Sequence, residues 1–166
     1  MALQRIREMR LREFLASPPF GRRDVPDDEL ELFNEALTHD SYANEEASRN
    51  RAARSYERLE FLGDAVIQMT VCEHIYSDTE LSEGEMTDFK KDAVCNRNIA
   101  SKVKDAGIDI DGTLLVGEGH RKRRTGENVI EDNMRADAFE AVIGAVYIIH
   151  GMDEARRIVK EVLLHR

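Results

Sequence analysis

With 166 residues, 42% hydrophobic and 34% charged, the chain is long enough for one globular domain with its own core and too apolar for a disordered one. Thirty-three acidic against 24 basic residues leave a net charge of −9, which excludes gripping a polyanion by overall attraction; phosphate contacts need a local basic strip. An N-terminus carrying Arg5, Arg7 and Arg10 is too charged for a signal peptide, and the longest apolar run, Ala141 to Ile149, is far short of the ~20 residues a bilayer requires.

Residues 2–15 set Leu3, Ile6, Met9 and Phe14 against Arg5, Arg7, Arg10 and Arg12 at helical spacing, an amphipathic helix expected to lie on the core with its arginines in water. Ser17-Pro-Pro-Phe-Gly21 breaks it, and Pro26 with Asp27 and Asp28 starts a second helix running to Thr38, one of the two aspartates serving as N-cap. His39-Asp40 follows. An adjacent His-Asp pair is also the heart of HD-type phosphohydrolase metal sites, but His74, His120, His150 and His165 offer no arrangement of further ligands. A structural helix-end histidine is the expectation, with the HD-type enzyme as an alternative. Asn44 to Ser55 is polar, has no apolar stripe and reads as a loop or frayed helix.

Glu57-Arg-Leu-Glu-Phe-Leu-Gly-Asp64 then runs without interruption into Ala65-Val-Ile-Gln-Met-Thr-Val-Cys72. On a helix, Glu57, Glu60 and Asp64 fall within about 60° of the circumference. The residues around them are apolar on all sides, so the expectation is a buried core helix ending near Tyr76, with the acids at its mouth. Cys72 and Cys95 have no metal-ligand spacing and read as buried thiols of a reducing cytoplasm.

Ser82 and Glu85 form a capping box ahead of a helix bearing Lys90, Lys91, Arg97, Lys102 and Lys104. Gly117 to Asn128 holds the densest basic patch, Arg121-Lys122-Arg123-Arg124, between glycines. It is open whether this is a solvated loop or a strip that positions nucleic-acid phosphates.

Ala136-Asp-Ala-Phe-Glu-Ala-Val-Ile-Gly-Ala-Val-Tyr-Ile-Ile149 repeats the earlier design, with Asp137 and Glu140 three apart at the start of an apolar helix. Gly63, Ala65, Ala141 and Gly144 are small enough for the two backbones to approach, bringing Glu60, Asp64, Asp137 and Glu140 into one cluster. Oxygen-only ligands suit Mg²⁺ or Mn²⁺ rather than zinc, and such sites serve phosphodiester hydrolysis. The other reading is that these acids only cap helix starts, where the dipole favours them. A last amphipathic helix, Met152 to Leu164, closes the chain.

Glu57 to Asp64 resembles the signature motif of the ribonuclease III endonuclease domain, and Ala136 to Gly144 resembles that family's second acidic motif. Glu35 to Glu45 and Val94-Cys-Asn-Arg-Asn-Ile-Ala100 resemble its other segments, in the right order, and the likeness spans roughly residues 30 to 160. It implies an all-α fold that pairs into a two-fold symmetric homodimer and cuts double-stranded RNA with Mg²⁺, Mn²⁺ substituting. The products would carry 5′-phosphate and 3′-hydroxyl ends, as in RNA processing. Glu60, Asp64, Asp137 and Glu140 match the metal-proximal acids, while Glu57 and Glu83 match peripheral acids with parts in substrate placement. Glu83 serves equally well as a helix-start charge. Phe61 matches a dimer contact; burial within its own subunit is the other reading. Asp40 departs from the family, which often has Lys or Arg there. The likeness is to short members without a double-stranded-RNA-binding domain, so residues 1–166 are expected to be one domain: an N-terminal helix and turn-rich connection over 1–26, then a core over 27–166. A separate RNA-binding protein is a conceivable partner, and a non-catalytic RNA-binding relative is the second alternative.

Overall fold

The longest helix in the computed structural model, which describes residues 2–165, is α8 (Asp132–Val159), and the rest of the chain packs around it. Ala136, Ala138, Phe139 and the run from Ala141 to Val146 are all buried. A helix apolar on every side needs neighbours all round it. They are α2 (Asp27–Ala36), α4 (Glu57–Asp78), α6 (Asn96–Asp105) and the short α7 (Ile110–Thr113), with α1 (Ala2–Ala16), α3 (Asp40–Ser48) and α5 (Glu83–Ala93) outside them. The fold is all-α: among the described residues β pairing is confined to two isolated bridges, Thr38 with Leu115 and Arg121 with Asn128. No described helix is long and apolar enough to cross a membrane.

The two expected C-terminal helices run on as one element, broken at Gly151. Its φ of 81° and ψ of 179° lie where only glycine rests without strain. The final turn, Lys160–Leu164, is of π type and returns Val162 and Leu163 to the core.

Several expectations need correction. α1 buries Leu11, Phe14 and Leu15, leaving Ile6 and Met9 exposed; the side chain of Leu3 lies outside the described residues. Its arginines are not all in water. Arg7 reaches inward and donates to Asn34 Oδ1 at 2.8 Å, to the Leu37 carbonyl at 3.0 Å and to the Thr113 carbonyl, and burial lowers its pKa to about 10. Carbonyls at helix C-terminal ends lack intrahelical donors, and a guanidinium supplies several at once. The N-cap of α2 is Pro26, with Asp27 and Asp28 inside the first turn, where the helix dipole favours them without a capping bond. Residues 44–48 belong to α3, which is capped by His39 Nδ1 accepting from the Ser41 amide at 3.1 Å. The Ser82 and Glu85 capping box forms as expected.

α4 is not buried all round. Leu59, Gly63, Val66, Ile67, Thr70, Val71 and Ile75 face the core, whereas Phe61 (82% exposed), Ala65, Met69 (54%), Cys72 and Tyr76 (80%) share an outward strip. At 100° per residue those five positions fall within about 80°, so the protein carries a coherent apolar face rather than scattered exposure. Both cysteines are exposed, Cys72 because it lies on this strip and Cys95 because it occupies the N-cap position of α6.

Candidate active site

Two glycines set the site. α4 and α8 cross where a Cβ on Gly63 would stand 1.7 Å from the Glu140 carbonyl oxygen, and one on Gly144 would stand 2.4 Å from that of Leu59. Only hydrogen fits between the backbones at this crossing. Ala141 is buried on α8 as expected, but Ala65 lies on the outward strip and takes no part. The N-terminal end of α4 is tied down by the Tyr56 amide donating to the Thr38 carbonyl at 2.9 Å. The start of α8 is held by Arg135, which is 2% exposed and donates to both Asp111 carboxylate oxygens and to Asp132, each at 2.7 Å.

Beside the crossing, Glu60, Asp137 and Glu140 each present one carboxylate oxygen, and all three lie within 4.8 Å of one another. Asp64 is the neighbour that stays slightly apart. Gln68, one turn further along α4, donates its amide to both Asp64 oxygens at 2.8 and 3.0 Å. The four acids line one depression of about 510 Å³ together with Glu57, Phe61, Val94 and Asn96.

Among the described residues none of these carboxylates makes a helix-capping hydrogen bond or pairs with a cation, although Glu60 stands in the first turn of α4. Burial first, then the charges of Asp64, Asp137 and Glu60, push Glu140 up to about 8. Burial, then Asp137, Glu57 and Asp64, push Glu60 up to about 7. Burial also raises Asp137, opposed by the hydrogen bond from Asn96. Tyr56 is raised by burial and then by Asp137, Glu60, Asp40 and Glu57. A cluster of like charges on buried helices is costly until a cation joins it. The donor set, carboxylate oxygen without His or Cys, fits a hard divalent ion, and among the described residues this is the one group able to hold a metal.

The remaining expected site residues are more dispersed. Glu57 is exposed at the mouth and accepts from Ser55 Oγ at 2.9 Å. Glu83 is exposed at the start of α5, accepts from Thr87 Oγ1 at 3.3 Å and does not line the depression. Arg121 pairs with Glu118 at 3.3 Å and Lys122 with Glu127 at 2.9 Å, within a turn closed by the Arg121–Asn128 bridge. Arg123 and Arg124 are exposed at its tip, with no ion pair among the described residues. Phe61 stands out at the rim of the depression. His39 bonds to Ser41 and packs edge-on against Tyr56 and His120, and neither it nor Asp40 joins a metal-capable group.

Asn96 was not foreseen at the site. Its amide donates to Asp137 Oδ1 at 3.2 Å and to Asn133 Oδ1 at 3.4 Å. Nothing in local spacing marks it, because its partners are 41 and 37 residues away. Gln68 was legible in principle, since a carboxylate and an amide four apart meet on a helix face.

The family described as Ribonuclease-III-like matches residues 29–166. Ribonuclease 3 of Symbiobacterium thermophilum is 40% identical over 129 residues, covering 77% of this chain and 51% of that protein. Ribonuclease 3 of Onion yellows phytoplasma is 33% identical over 145 residues, 87% of this chain and 57% of the relative. The chain thus spans about half the length of these relatives. Among solved structures, the nuclease domain of ribonuclease III from Campylobacter jejuni superposes with a TM-score of 0.69 at 23% identity, covering 93% of this chain and 97% of that one, a likeness of fold. That structure is described for flexibility in a region involved in dimer formation.

Proposed function

The chain belongs to the ribonuclease-III-like family, and on that premise we propose that it is a metal-dependent endoribonuclease that hydrolyses phosphodiester bonds of double-stranded RNA. The products are 5′-phosphate and 3′-hydroxyl ends, and the setting is RNA processing in the cytoplasm. The observation that carries this reading is the convergence of Glu60, Asp137 and Glu140 from two crossing helices to within 4.8 Å.

Glu60, Asp137 and Glu140, with Asp64 beside them, are the residues that would hold Mg²⁺, Mn²⁺ substituting. When bound, such an ion neutralises charge on a phosphoryl group and lowers the pKa of water. The chain's own contribution is a fixed, poorly solvated set of oxygens. Because Glu60 and Glu140 hold protons up to about pH 7 and about pH 8, filling the site releases protons and is favoured as pH rises. Glu57 and Glu83 lie further out and help place substrate. Arg121, Lys122, Arg123 and Arg124 meet backbone phosphates, which positions a duplex without reading its bases. A-form RNA presents its wide minor groove and 2′-hydroxyls, so recognition is of shape.

The outward strip of α4, from Phe61 to Tyr76, is the natural surface for a second copy, giving a homodimer with one acidic cluster per strand. Residues 1–166 act in this reading as one endonuclease unit.

The test is incubation of a long RNA duplex with the wild-type protein and with Glu140→Gln, each with and without Mg²⁺. Cleavage by wild type in Mg²⁺ alone is expected. A duplex left intact by wild type in saturating metal removes the nuclease and leaves a non-catalytic RNA-binding protein.

A further inference from the structure

We propose that Asn96 is the positioning residue of the acidic cluster, acting through Asp137. This rests on the reading of the cluster as a divalent-metal site and deepens it by adding a third helix to the two that carry the acids.

Asn96 opens α6, and its carboxamide is the one uncharged polar side chain lining the depression. One N–H reaches Asp137 Oδ1 at 3.2 Å and the same amide nitrogen reaches Asn133 Oδ1 at 3.4 Å. The latter fixes which way the amide faces, because its nitrogen must lie toward α8 to serve both oxygens. With Oδ1 of Asp137 engaged, the rotation of the carboxylate, and with it the direction in which both oxygens are offered, is set by Asn96. An aspartate on an open helix face has several rotamers, and one hydrogen bond from a neighbouring element selects among them. Partners of this kind fix ligand orientation in metal sites generally.

The contrast with the other acids sharpens the assignment. Among the described residues no side chain donates a hydrogen bond to Glu60 or Glu140; Glu140 is buried where α8 meets α4, and Glu60 is half-buried. Asp64 receives its amide from Gln68 on its own helix, a bond that carries no information about α6. Among the described residues, Asp137 alone of the four is tied to a different helix by a side chain. The buried face of α6, formed by Ile99, Ala100 and Val103, packs on α8 and sets the height from which Asn96 reaches over.

The experiment is a Mn²⁺ titration of the full chain, followed by the electron paramagnetic resonance of free Mn²⁺, for wild type, Asn96→Leu, Asp137→Asn and the double variant. Asn96→Leu keeps the branched shape and removes the donor; Asn96→Ala serves as a second variant, and Asn96 is only half-buried, so both should fold. Loss of the amide is expected to weaken Mn²⁺ binding about 10- to 100-fold. In the Asp137→Asn background the same change should have no further effect, since the group it acts through is gone. Wild-type affinity in both Asn96 variants overturns the proposal, as do losses that simply add in the double variant. A wild-type protein that takes up no Mn²⁺ overturns the metal-site reading itself, which separates the two failures.

Discussion

Replacing Glu140 by Gln should stabilise the metal-free protein at alkaline pH while destroying its use for the metal. Glu140 is 5% exposed, and its carboxyl is pushed from 4.5 to about 8 by burial and by three neighbouring acids. That gap of about 3.5 pH units, at 1.36 kcal/mol each, sets a ceiling of roughly 5 kcal/mol on the penalty for ionising it in the fold. The acids titrate together and the glutamine amide needs hydrogen bonds of its own, so a net gain of about 2 kcal/mol is the working figure. The direction follows from proton linkage. Below pH 4.5 the carboxyl is protonated folded or unfolded and no penalty arises; as pH rises, the unfolded chain ionises first, and stability drains away until about pH 8. Urea melts in chelator at pH 5, 6, 7, 8 and 9 should therefore show wild type losing stability across that range and Glu140→Gln losing much less. The residual slope belongs to Glu60, held at about 7, and to Asp137, which burial also raises. Adding Mg²⁺ at pH 8 should raise the wild-type midpoint and leave the variant nearly unmoved, and duplex cleavage by the variant should fall by more than about 100-fold, the upper end of what loss of a supporting contact costs. Wild-type stability that is flat from pH 5 to 9 in chelator, or two parallel curves, would refute the reasoning.

Gly144→Ala places a methyl 2.4 Å from the Leu59 carbonyl oxygen, so it should destabilise by about 3 kcal/mol or more in denaturant melts, against backbone that cannot yield. Arg135→Met strands Asp111 and the Ile130 carbonyl; a loss of about 2 kcal/mol is expected, below the range for fully buried pairs because Asp111 and Asp132 are half-exposed. Phe61→Ala should shift sedimentation toward monomer while leaving the monomer's melting point within about a degree, since the ring contributes little to its own subunit's core. Arg123→Ala with Arg124→Ala should lower duplex affinity and reduce the slope of log K against log salt by about 2, roughly one for each phosphate contact removed.

How much could be read beforehand divides along physical lines. The acidic pairs and the close-approach glycines were legible because helical periodicity is local: Asp137 and Glu140, or Gly63 one turn from Glu60, declare their shared face from spacing alone. What periodicity cannot state is which side of an all-apolar helix faces a neighbour. α4 looked buried everywhere, and Met69 and Tyr76 proved exposed because α8 and its other neighbours cover only one face. Arg7 misled for a related reason. Its inward course answers carbonyls of Leu37 and Thr113, groups 30 and 106 residues away. Asn96 lay inside the family-like segment Val94 to Ala100, but nothing local tied it to the acids, because its contact with Asp137 spans 41 residues.

The contact between Gly63 and Gly144 bears on what holds the site in shape. With no side chain between the two rods at that point, main chain meets main chain, and the layer of side chains that could be compressed or repacked is missing. Carboxylates mounted beside the crossing therefore take their spacing from backbone contact and not from the fit of neighbouring side chains. The site thus owes its geometry to peptide units, which no substitution away from the two glycines alters directly.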